Sequence, residues 1–470
     1  MLPVSVLKTW PVPDPARVEA LLDDEIRKNR VKLIVLDDDP TGTQSVHDVP
    51  VYTRWDEEAM EEALRDPRSL FYVLTNTRAM SAAEAERVLR EIGASVAAAA
   101  AKTGAEYLFL SRSDSTLRGH YPLETEVLKS VVETDDYRID GEVLCFFFKD
   151  GGRFTIDNVH YVKQGDVLVP AAETEFAKDP AFGYTHSDLP GYVEEKTGGR
   201  YPAEGVQCVP LEVLRAVDVD AVEAQLMALH DFGKIAVNAV DYCDVKVFAA
   251  ALLRAMNKGK HFCIRTAADL VRVLGGIKDR PLLTREEIVP EGCKEGGLIV
   301  VGSYMQRTTD QLNALLTLPG LVEVPFDSDQ VLDGPAALAA EVDRCVAEEE
   351  KAIRAGKTVV CYTKRTFLKA SGTPEEVLAR QVQISDAVQS LVGKLSVKPR
   401  FLISKGGITS ADIAVKALGI RKAEVLGQVK PSIPVWLTGE GSKYPGLPYI
   451  IFPGNTGEVT TLREMAELLR

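Results

Sequence analysis

Two adjacent aspartates, Asp38 and Asp39, end a strand-like apolar run, VKLIVLDD, and open a polar turn, DDDPTG, that also holds Thr41. Carboxylates at such a position can accept a proton from a substrate hydroxyl or hold Mg²⁺ through oxygen ligands. Asp, Pro, Thr and Gly are also ordinary turn formers, and aspartate often caps a helix. Taken alone, these residues leave a catalytic turn and a structural turn equally open.

A second polar turn, SRSDSTLRG, follows the apolar run EYLFL and combines Arg112, Asp114, Ser115 and Arg118. Guanidinium is a planar fork that binds carboxylate or phosphate, and hydroxyls can bond to sugar oxygens. The alternative is a helix-capping region with solvated charges, but so many donors directly after a strand favour a binding site. Arg78, in the turn TNTRA, is a further candidate anion clamp.

Glycine-rich turns distinguish the second half of the chain. KGGITS follows the run RFLI, FPGNTG follows YIIF, and VGSYMQRTTDQL carries a serine between a strand-like and a helix-like segment. Glycines before a helix start expose backbone amides that can hold phosphate, although no GxxxxGK[ST] pattern is present and each turn alone could be an ordinary loop. Together they favour a nucleotide site, with the candidate residues Ser303, Gly406, Gly407, Ile408, Thr409, Gly454, Asn455 and Gly457.

Composition excludes several other functions. The 470 residues carry 69 acidic against 55 basic side chains, a formal net charge of −14, so the field of the chain repels nucleic acid. The 7 cysteines and 6 histidines are dispersed, without CxxC or HExxH, and no GxSxG is present. Zinc sites, disulfide scaffolds and serine or cysteine nucleophiles are therefore not indicated, and metal ligands stay unassigned.

The cellular location is also predicted from the sequence. The start, MLPVSVLKTWPVPDP, is a poor secretory signal, and no apolar run approaches the roughly 18 residues of a membrane span. Cysteines inside apolar runs, such as Cys145 and Cys361, are typical of reduced, buried thiols. We expect a cytoplasmic protein that binds small molecules, without a membrane or nucleic-acid partner, and a homodimer is left open.

The polar turns need a scaffold that brings them together, and the pattern of the chain predicts one. Strand-like runs alternate with amphipathic helices in both halves, for example FYVLTNTRA, then SAAEAERVLREIGASVAAAAAKTG, then EYLFLSRSD. Such alternation implies parallel sheets with helical crossovers, in which ligands bind beyond the carboxyl ends of the strands. The stretch GGRFTIDNVHYVKQGDVLVP breaks the pattern and indicates a hairpin excursion.

The predicted fold is therefore α/β and two-lobed, each lobe a largely parallel sheet flanked by helices, with the active site in the interdomain cleft. The domains are predicted at residues 1–280 and 297–470. The linker between them is predicted at residues 281–296, where proline, glycine and charge accumulate without an apolar period.

At these motifs the chain resembles the four-carbon acid sugar kinase family, whose members phosphorylate tetronates and related small sugar acids with ATP. The resemblance runs from about Leu33 to the last helix. The family's DDxTG turn is similar to residues 38–42, its KxDSTxRG turn to residues 112–119, and its central segment to ETEFAKDPAFGYTHSDL, which includes Asp179. The resemblance implies that the N-terminal domain binds the sugar acid.

In the second half, GSYMQRTTDQ resembles the family's serine-containing turn, KGGITS its GGxT nucleotide turn, and FPGNTG its SGNFG turn. The resemblance implies that ATP binds in the C-terminal domain. Ile408 stands where the family has an acidic residue, and Phe452 stands where a lysine often precedes the last turn.

The resemblance thus implies an ATP-dependent kinase, working with Mg²⁺, that phosphorylates a terminal hydroxyl of a small sugar acid such as a tetronate or 3-oxo-tetronate in carbohydrate acid catabolism. Asp38 or Asp39 would accept the hydroxyl proton. The predicted substrate-binding residues are Thr41, Arg78, Arg112, Asp114, Ser115 and Arg118. Two alternatives stay open: a non-catalytic sensor of a sugar acid or nucleotide, and a dehydrogenase, which the lack of GxGxxG after the first strand disfavours.

Overall fold

The computed structural model describes residues 1–303, 305–365, 374–454 and 456–470. It is an α/β protein whose large sheets are mostly parallel and flanked by helices, as predicted. The strands are β1 (Leu2–Pro3), β2 (Lys32–Asp37), β3 (Val49–Tyr52), β4 (Leu70–Leu74), β5 (Tyr107–Arg112), β6 (Gly141–Cys145), β7 (Arg153–Ile156), β8 (Val159–Gln164), β9 (Val167–Pro170), β10 (Gln207–Val209), β11 (Gly233–Val237), β12 (Phe262–Thr266), β13 (Leu298–Val301), β14 (Val322–Phe326), β15 (Val359–Thr363), β16 (Leu402–Lys405), β17 (Lys422–Lys430), β18 (Ile433–Thr438) and β19 (Pro448–Phe452).

Helices connect most of the strands. The α-helices are α1 (Pro15–Lys28), α2 (Glu57–Arg65), α3 (Ala82–Thr103), α4 (Leu123–Val132), α5 (Leu189–Thr197), α6 (Leu211–Arg215), α7 (Val219–Met227), α8 (Tyr242–Asn257), α9 (Ala268–Leu274), α10 (Arg285–Ile288), α11 (Gln306–Leu316), α12 (Pro335–Arg354), α13 (Pro374–Gly393), α14 (Gly407–Asp412) and α15 (Thr461–Leu469). None of the helices in the described ranges combines the length and apolar character needed to cross a membrane.

Local sequence explains where these elements begin and end, as α3 illustrates. The helix starts with a capping box, because the Ser81 side chain accepts from the backbone of Glu84 and the Glu84 carboxylate accepts from the backbone of Ser81. It ends at Gly104, which adopts the left-handed conformation at φ +70°. The apolar stripe of α3 packs against α2 and α4, with Ile92 and Val96 fully buried.

The chain divides into two compact units. Unit 1 comprises Met1–Asp38 and Arg54–Asp279, and unit 2 comprises Asp39–Thr53 and Arg280–Arg470. Residues 39–53, which fall inside the predicted first domain, therefore belong to the second unit. The reason is strand pairing: β3 runs antiparallel to β17, with Tyr52 opposite Lys422.

The main sheet of unit 1 has the strand order β10–β11–β6–β12–β5–β2–β4, and all its pairings are parallel. Strands β2 and β4 are almost wholly buried runs of aliphatic and aromatic residues, as expected for a sheet covered by helices on both faces. Because the pairings are parallel, the carboxyl ends of the strands lie along one edge, where the polar turns follow.

The predicted hairpin excursion is confirmed. Strands β7, β8 and β9 form an antiparallel meander, and β1 pairs with β9 to complete a small second sheet in the order β1–β9–β8–β7. His160, on β8, donates from Nε2 to the carbonyl oxygen of Ser115 at 2.8 Å. This small sheet is thereby fastened to the turn that follows β5.

The main sheet of unit 2 has the order β3–β17–β18–β19–β16–β13–β15–β14. The pairings from β19 to β14 are parallel, whereas those among β3, β17, β18 and β19 are antiparallel. One face of the sheet packs on α11 and α15 through a core that includes Ile299, Ile403, Ile450, Leu312 and Met465. Apolar burial of this kind is the main stabilising term for such a layer.

A hydrogen bond between two buried side chains adds to the strand pairing that holds residues 39–53 in unit 2. Trp436 Nε1 donates to Thr43 Oγ1 at 2.9 Å, and both residues are fully buried. Replacing Thr43 by the isosteric valine leaves the indole N–H without its acceptor, and we expect it to lower the free energy of unfolding by about 1–3 kcal/mol. Urea unfolding followed by tryptophan fluorescence measures the loss. Thr43→Ser keeps the hydroxyl and is the control; a Thr43→Val protein as stable as wild type would contradict the role of this bond.

Candidate functional site

The acidic and arginine-rich turns of unit 1 meet at the carboxyl edge of its main sheet. Asp37, at the end of β2, lies opposite Arg112 of β5 on one side and Leu74 of β4 on the other. The turns after these three strands therefore start side by side, which is the convergence that the strand–helix alternation predicts. The structure brings together Asp38, Arg78, Asp114 and Arg118 at this edge.

Arg78 joins two carboxylates. Its Nη2 donates to Asp38 Oδ1 at 2.5 Å and its Nε to Asp38 Oδ2 at 3.0 Å, while its Nη1 lies 3.5 Å from Asp114 Oδ1. Ser113 Oγ donates to Asp38 Oδ2 as well. The side chain of Asp38 is only 3% exposed, so both of its oxygens are engaged inside the protein.

Asp114 is the second anchor of this edge. Arg118 Nε donates to Asp114 Oδ2 at 3.0 Å and Arg118 Nη2 to Asp114 Oδ1 at 3.3 Å, and the backbone and hydroxyl of Thr116 donate to Oδ2. Burial acts to raise the pKa of Asp114, but the charges of Arg78 and Arg118 and the hydrogen bonds outweigh it and hold that pKa well below its usual range. Asp114 is therefore a permanent anion that orients the two arginines.

Two other predicted substrate-binding residues, Arg112 and Ser115, make separate contacts. The side chain of Arg112 is 3% exposed, and its Nη1 donates to Asp37 Oδ1 at 3.3 Å. Ser115 is half-buried and offers its backbone carbonyl to His160. Burial lowers the pKa of His160 to about 4, so the imidazole that holds this turn is neutral.

Sequence reasoning missed the buried ion pair beneath these turns. Arg265, on β12, donates from Nη1 to Glu124 of α4 and from Nη2 to the carbonyl oxygen of Arg118 at 2.9 Å. Gly119 lies against it at φ +109°, where an added Cβ would be 3.0 Å from Arg265 Nη2 and 2.6 Å from Ser113 Oγ. Charged residues inside apolar segments were the only signal in the sequence.

The glycine turns of unit 2 also meet, because β13, β16 and β19 are parallel neighbours. Thr308 Oγ1 lies 3.3 Å from both Ser303 Oγ and the carbonyl oxygen of Gly454, within hydrogen-bond distance of each. Gly406 adopts φ +119°, and an added Cβ there would lie 3.3 Å from Ser303 Cβ and 3.5 Å from Thr409 Oγ1. The turns thus lie so close together that a side chain on Gly406 would be strained and tightly packed.

The remaining predicted nucleotide-binding residues differ in position. Ile408 is 66% exposed, an unusual position for a large aliphatic side chain. Gly457 adopts φ +81°, with an added Cβ only 2.9 Å from Thr461. Asn455 lies outside the described residues.

Asp39 and Thr41 belong to unit 2. The backbone N–H of Thr41 donates to Asp39 Oδ1 at 2.8 Å, which caps the short 3₁₀ turn Pro40–Thr43. A Cβ added to Gly407 would lie 2.9 Å from Asp39 Oδ2. The half-buried carboxylate of Asp39 therefore lies against the first residue of α14, in the turn with Gly406.

Lys405 was also missed by sequence reasoning. It is the last residue of β16 and is fully buried, and its Nζ donates to the carbonyl oxygens of Pro453 at 2.6 Å and Gly454 at 3.1 Å. Phe452 is its direct register partner on β19, and the ammonium group lies 3.8 Å from the centre of that ring. Burial lowers the pKa of Lys405 to about 7, and the charge of Arg307 adds to the shift.

The donors of unit 2 suit a phosphate ligand. Backbone amides at the glycine turns, the hydroxyls of Ser303 and Thr409, and the ammonium group of Lys405 are neutral or cationic donors gathered around close-packed glycines. For a metal ion the picture differs: in the described parts of the chain, no group of three or more His, Cys, Asp or Glu side chains is arranged to hold one.

Comparison with known proteins defines the class first. Residues 33–274 match the family model described as a sugar-binding N-terminal domain, and residues 298–462 match the one described as a nucleotide-binding C-terminal domain. This is the domain architecture of the four-carbon acid sugar kinases. The chain belongs to that family. The sugar-binding segment lies in unit 1, except for residues 39–53, and the nucleotide-binding segment lies in unit 2.

Solved structures with the same fold are distant in sequence. One is a protein of Salmonella typhimurium LT2 that is described as a provisional tRNA synthase. Its sequence is 15% identical to this chain, the TM-score is 0.64, and the match covers 93% of this chain and 99% of that one. Haemophilus influenzae protein HI1011, of family DUF1537, is 18% identical with a TM-score of 0.57, over 92% and 99%. A search of curated proteins finds no match.

The shifted pKa of Lys405 predicts a pH-dependent stability. A lysine that titrates at about 7 when folded and near 10.5 when unfolded binds fewer protons in the folded state between these values, so its destabilising effect is full below pH 7 and disappears as the pH rises toward 10.5. We expect Lys405→Met to raise the unfolding temperature at pH 6.5 more than at pH 9.5. Scanning calorimetry of both proteins at both pH values measures the difference, and Lys398→Met, which removes a lysine from the surface, is the control. An effect of Lys405→Met that does not change with pH would contradict the assignment.

Proposed function

We propose that this protein is a kinase that transfers the γ-phosphoryl group of MgATP to a terminal hydroxyl of a small sugar acid, a tetronate or 3-oxo-tetronate. The observation that carries the proposal is the carboxylate of Asp39, held against Gly407 in the nucleotide-binding domain. A turn that binds a nucleotide needs hydrogen-bond donors for the phosphates. A carboxylate next to such a turn is better suited to accept a proton during phosphoryl transfer than to bind phosphate. A cytoplasmic role in sugar-acid catabolism accompanies the proposal.

Of the two predicted bases, exposure favours Asp39. Asp38 has its oxygens bound by Arg78 and Ser113, and its side chain is almost fully buried. Asp38 is in a buried ion pair with Arg78, and breaking such a pair costs several kcal/mol. Asp39 is half-buried, and its Oδ2 lies beside the glycine turn. In the proposed step the substrate hydroxyl oxygen bonds to the γ-phosphorus, the bond to the β-phosphate oxygen breaks to release ADP, and the hydroxyl proton passes to Asp39.

The glycine turns are proposed to hold the phosphates of ATP. The amides after Gly406 and the hydroxyls of Ser303 and Thr409 would donate to phosphate oxygens, and Mg²⁺ would enter as part of the MgATP substrate. Positioning and charge neutralisation supply most of the catalysis in such reactions, because there is little covalent chemistry for the protein to perform. The sugar acid is proposed to bind in unit 1, at the edge with Arg78 and Arg118.

Replacement of Asp39 by Asn tests this mechanism. In an ATP-consumption assay over tetronates and 3-oxo-tetronates, with and without Mg²⁺, the wild type is expected to consume ATP with at least one acid only when Mg²⁺ is present. Asp39→Asn should lower kcat by about 100-fold or more, since general-base catalysis contributes that much, while ATP affinity stays within about threefold.

Asp48→Asn is the matched control, because it removes the same charge from an exposed position of the same segment. Retained turnover in Asp39→Asn would remove Asp39 as the base and transfer the role to Asp38. Tight binding of one acid by the wild type without any ATP consumption would instead favour a sugar-acid sensor.

Gly407 supplies a second test, directed at the nucleotide site. A valine there would push its Cβ into Asp39 Oδ2 and narrow the turn, so we expect Gly407→Val to raise the KM for ATP by about tenfold or more. The comparison variant is Gly205→Val, at a glycine whose added Cβ would meet nothing within 4 Å. An unchanged KM for ATP in a folded Gly407→Val protein would move the nucleotide site away from this turn.

A further inference from the structure

The arginines predicted to bind the substrate carboxylate already have acidic partners inside unit 1. The pairs are Arg78 with Asp38, Arg112 with Asp37, and Arg118 with both Asp114 and Asp179. A substrate carboxylate at any of them would compete with a protein carboxylate that is covalently fixed beside it. The edge therefore needs another cation if it is to bind an anion strongly.

Arg153 is such a cation. It is the first residue of β7, in the small antiparallel sheet, and is half-buried. Its Nη1 donates to the carbonyl oxygen of Gly151, whereas its Nε is buried without a hydrogen-bond partner. Among the ion pairs of the described residues, none includes Arg153.

The guanidinium group of Arg153 lies next to the acid–arginine edge. Its centre is 5.6 Å from the centre of the Phe176 ring, and the guanidinium of Arg118 is 5.0 Å from the same ring centre. Arg118 is in turn bound to Asp114 and Asp179. Arg153 and Arg118 therefore flank one aromatic side chain, with Arg118 neutralised by its carboxylates and Arg153 not.

The partly buried surroundings of Arg153 make the positive charge of its guanidinium group energetically unfavourable. Burial lowers the pKa of Arg153; the carboxylate of Asp114 opposes that shift and Arg118 adds to it. A guanidinium group remains charged in spite of such a shift, and a buried charge without an ionic partner is unfavourable. A ligand carboxylate bound to this guanidinium group would reduce that cost.

We propose that Arg153 binds the carboxylate of the sugar acid and so determines the preference of the protein for acids over neutral polyols. This inference rests on the proposed function and deepens it, because it assigns the acid end of the substrate to the small antiparallel sheet. Arg78 and Arg118 then shape the edge and hold Asp38 and Asp114, and their own carboxylate partners exclude a second anion. Fork geometry accounts for the choice of arginine, since a guanidinium can donate two parallel hydrogen bonds to one carboxylate.

The test compares Arg153→Gln and Arg153→Lys with wild type, using D-erythronate and L-threonate as acids and erythritol as the neutral analogue with the same carbon skeleton. We expect Arg153→Gln to raise the KM and the calorimetric Kd for the acids by about tenfold or more, with kcat and the KM for ATP within about threefold. Arg153→Lys keeps the charge but loses the fork geometry, so its KM and Kd for the acids should lie between those of wild type and Arg153→Gln. Binding of erythritol should be the same in all three proteins.

Lys163→Gln is the matched control, because it removes a positive charge from an exposed position on the neighbouring strand β8. If Arg153→Gln does not fold, the comparison of Arg153→Lys with wild type decides the question. An unchanged Kd for the acids in Arg153→Lys would overturn the proposed two-hydrogen-bond contact between the guanidinium group and the carboxylate. Unchanged acid binding in a folded Arg153→Gln protein, or a change in the KM for ATP alone, would overturn the inference and leave the kinase proposal standing. A wild type that binds the acids but phosphorylates none would overturn the kinase proposal, whereas loss of acid binding in Arg153→Gln would still support the inference.

Discussion

The site in unit 1 depends on the pairing of carboxylates that folding has removed from water. Asp37 and Asp38 end a buried parallel strand, and their side chains are 2% and 3% exposed. An ionised carboxylate in such a place is stable only when cations and hydrogen-bond donors surround it. Arg112 and Arg78 meet that requirement from the two flanking strand ends. The polar turns are therefore held in place by these ion pairs and by the parallel register that brings the strand ends together.

The two adjacent aspartates of this turn belong to different units. Asp38 belongs to unit 1 and takes part in the arginine network, whereas Asp39 belongs to unit 2 and lies against Gly407. Two neighbouring aspartates thus have different environments: one is a buried anchor and the other is half-buried beside a glycine turn. Carboxylates of one type take separate roles when their surroundings differ in this way.

The sequence predicted those parts of the site that follow directly from strand ends. Parallel strands place their carboxyl ends on one edge, so Asp38, Arg78, Asp114 and Arg118 could be expected to converge before any contact was known. It could not predict the partners of Arg265 or the place of residues 39–53, because these depend on which distant strands pair: β12 with β5, and β3 with β17. Arg153 was missed for a similar reason, since only the packing of the small antiparallel sheet brings it beside Phe176. The exposed position of Ile408 also has no sequence signal.

Lys405 and Arg153 lie in similar environments, one in each unit. Lys405 is fully buried and Arg153 is half-buried, each donates to a backbone carbonyl, and neither is in an ion pair among the described residues. Carbonyl oxygens compensate only part of the lost hydration of a cation, so both positions cost stability in the absence of a ligand. The remaining deficit can be met by an anion that arrives from solution. On the proposed function there are two such anions, a sugar carboxylate and a nucleotide phosphate, and Arg153 and Lys405 lie in the two domains that would bind them. The lysine absent at position 452 is then accounted for locally, because Lys405 is the register partner of Phe452 and places its ammonium group at the same turn.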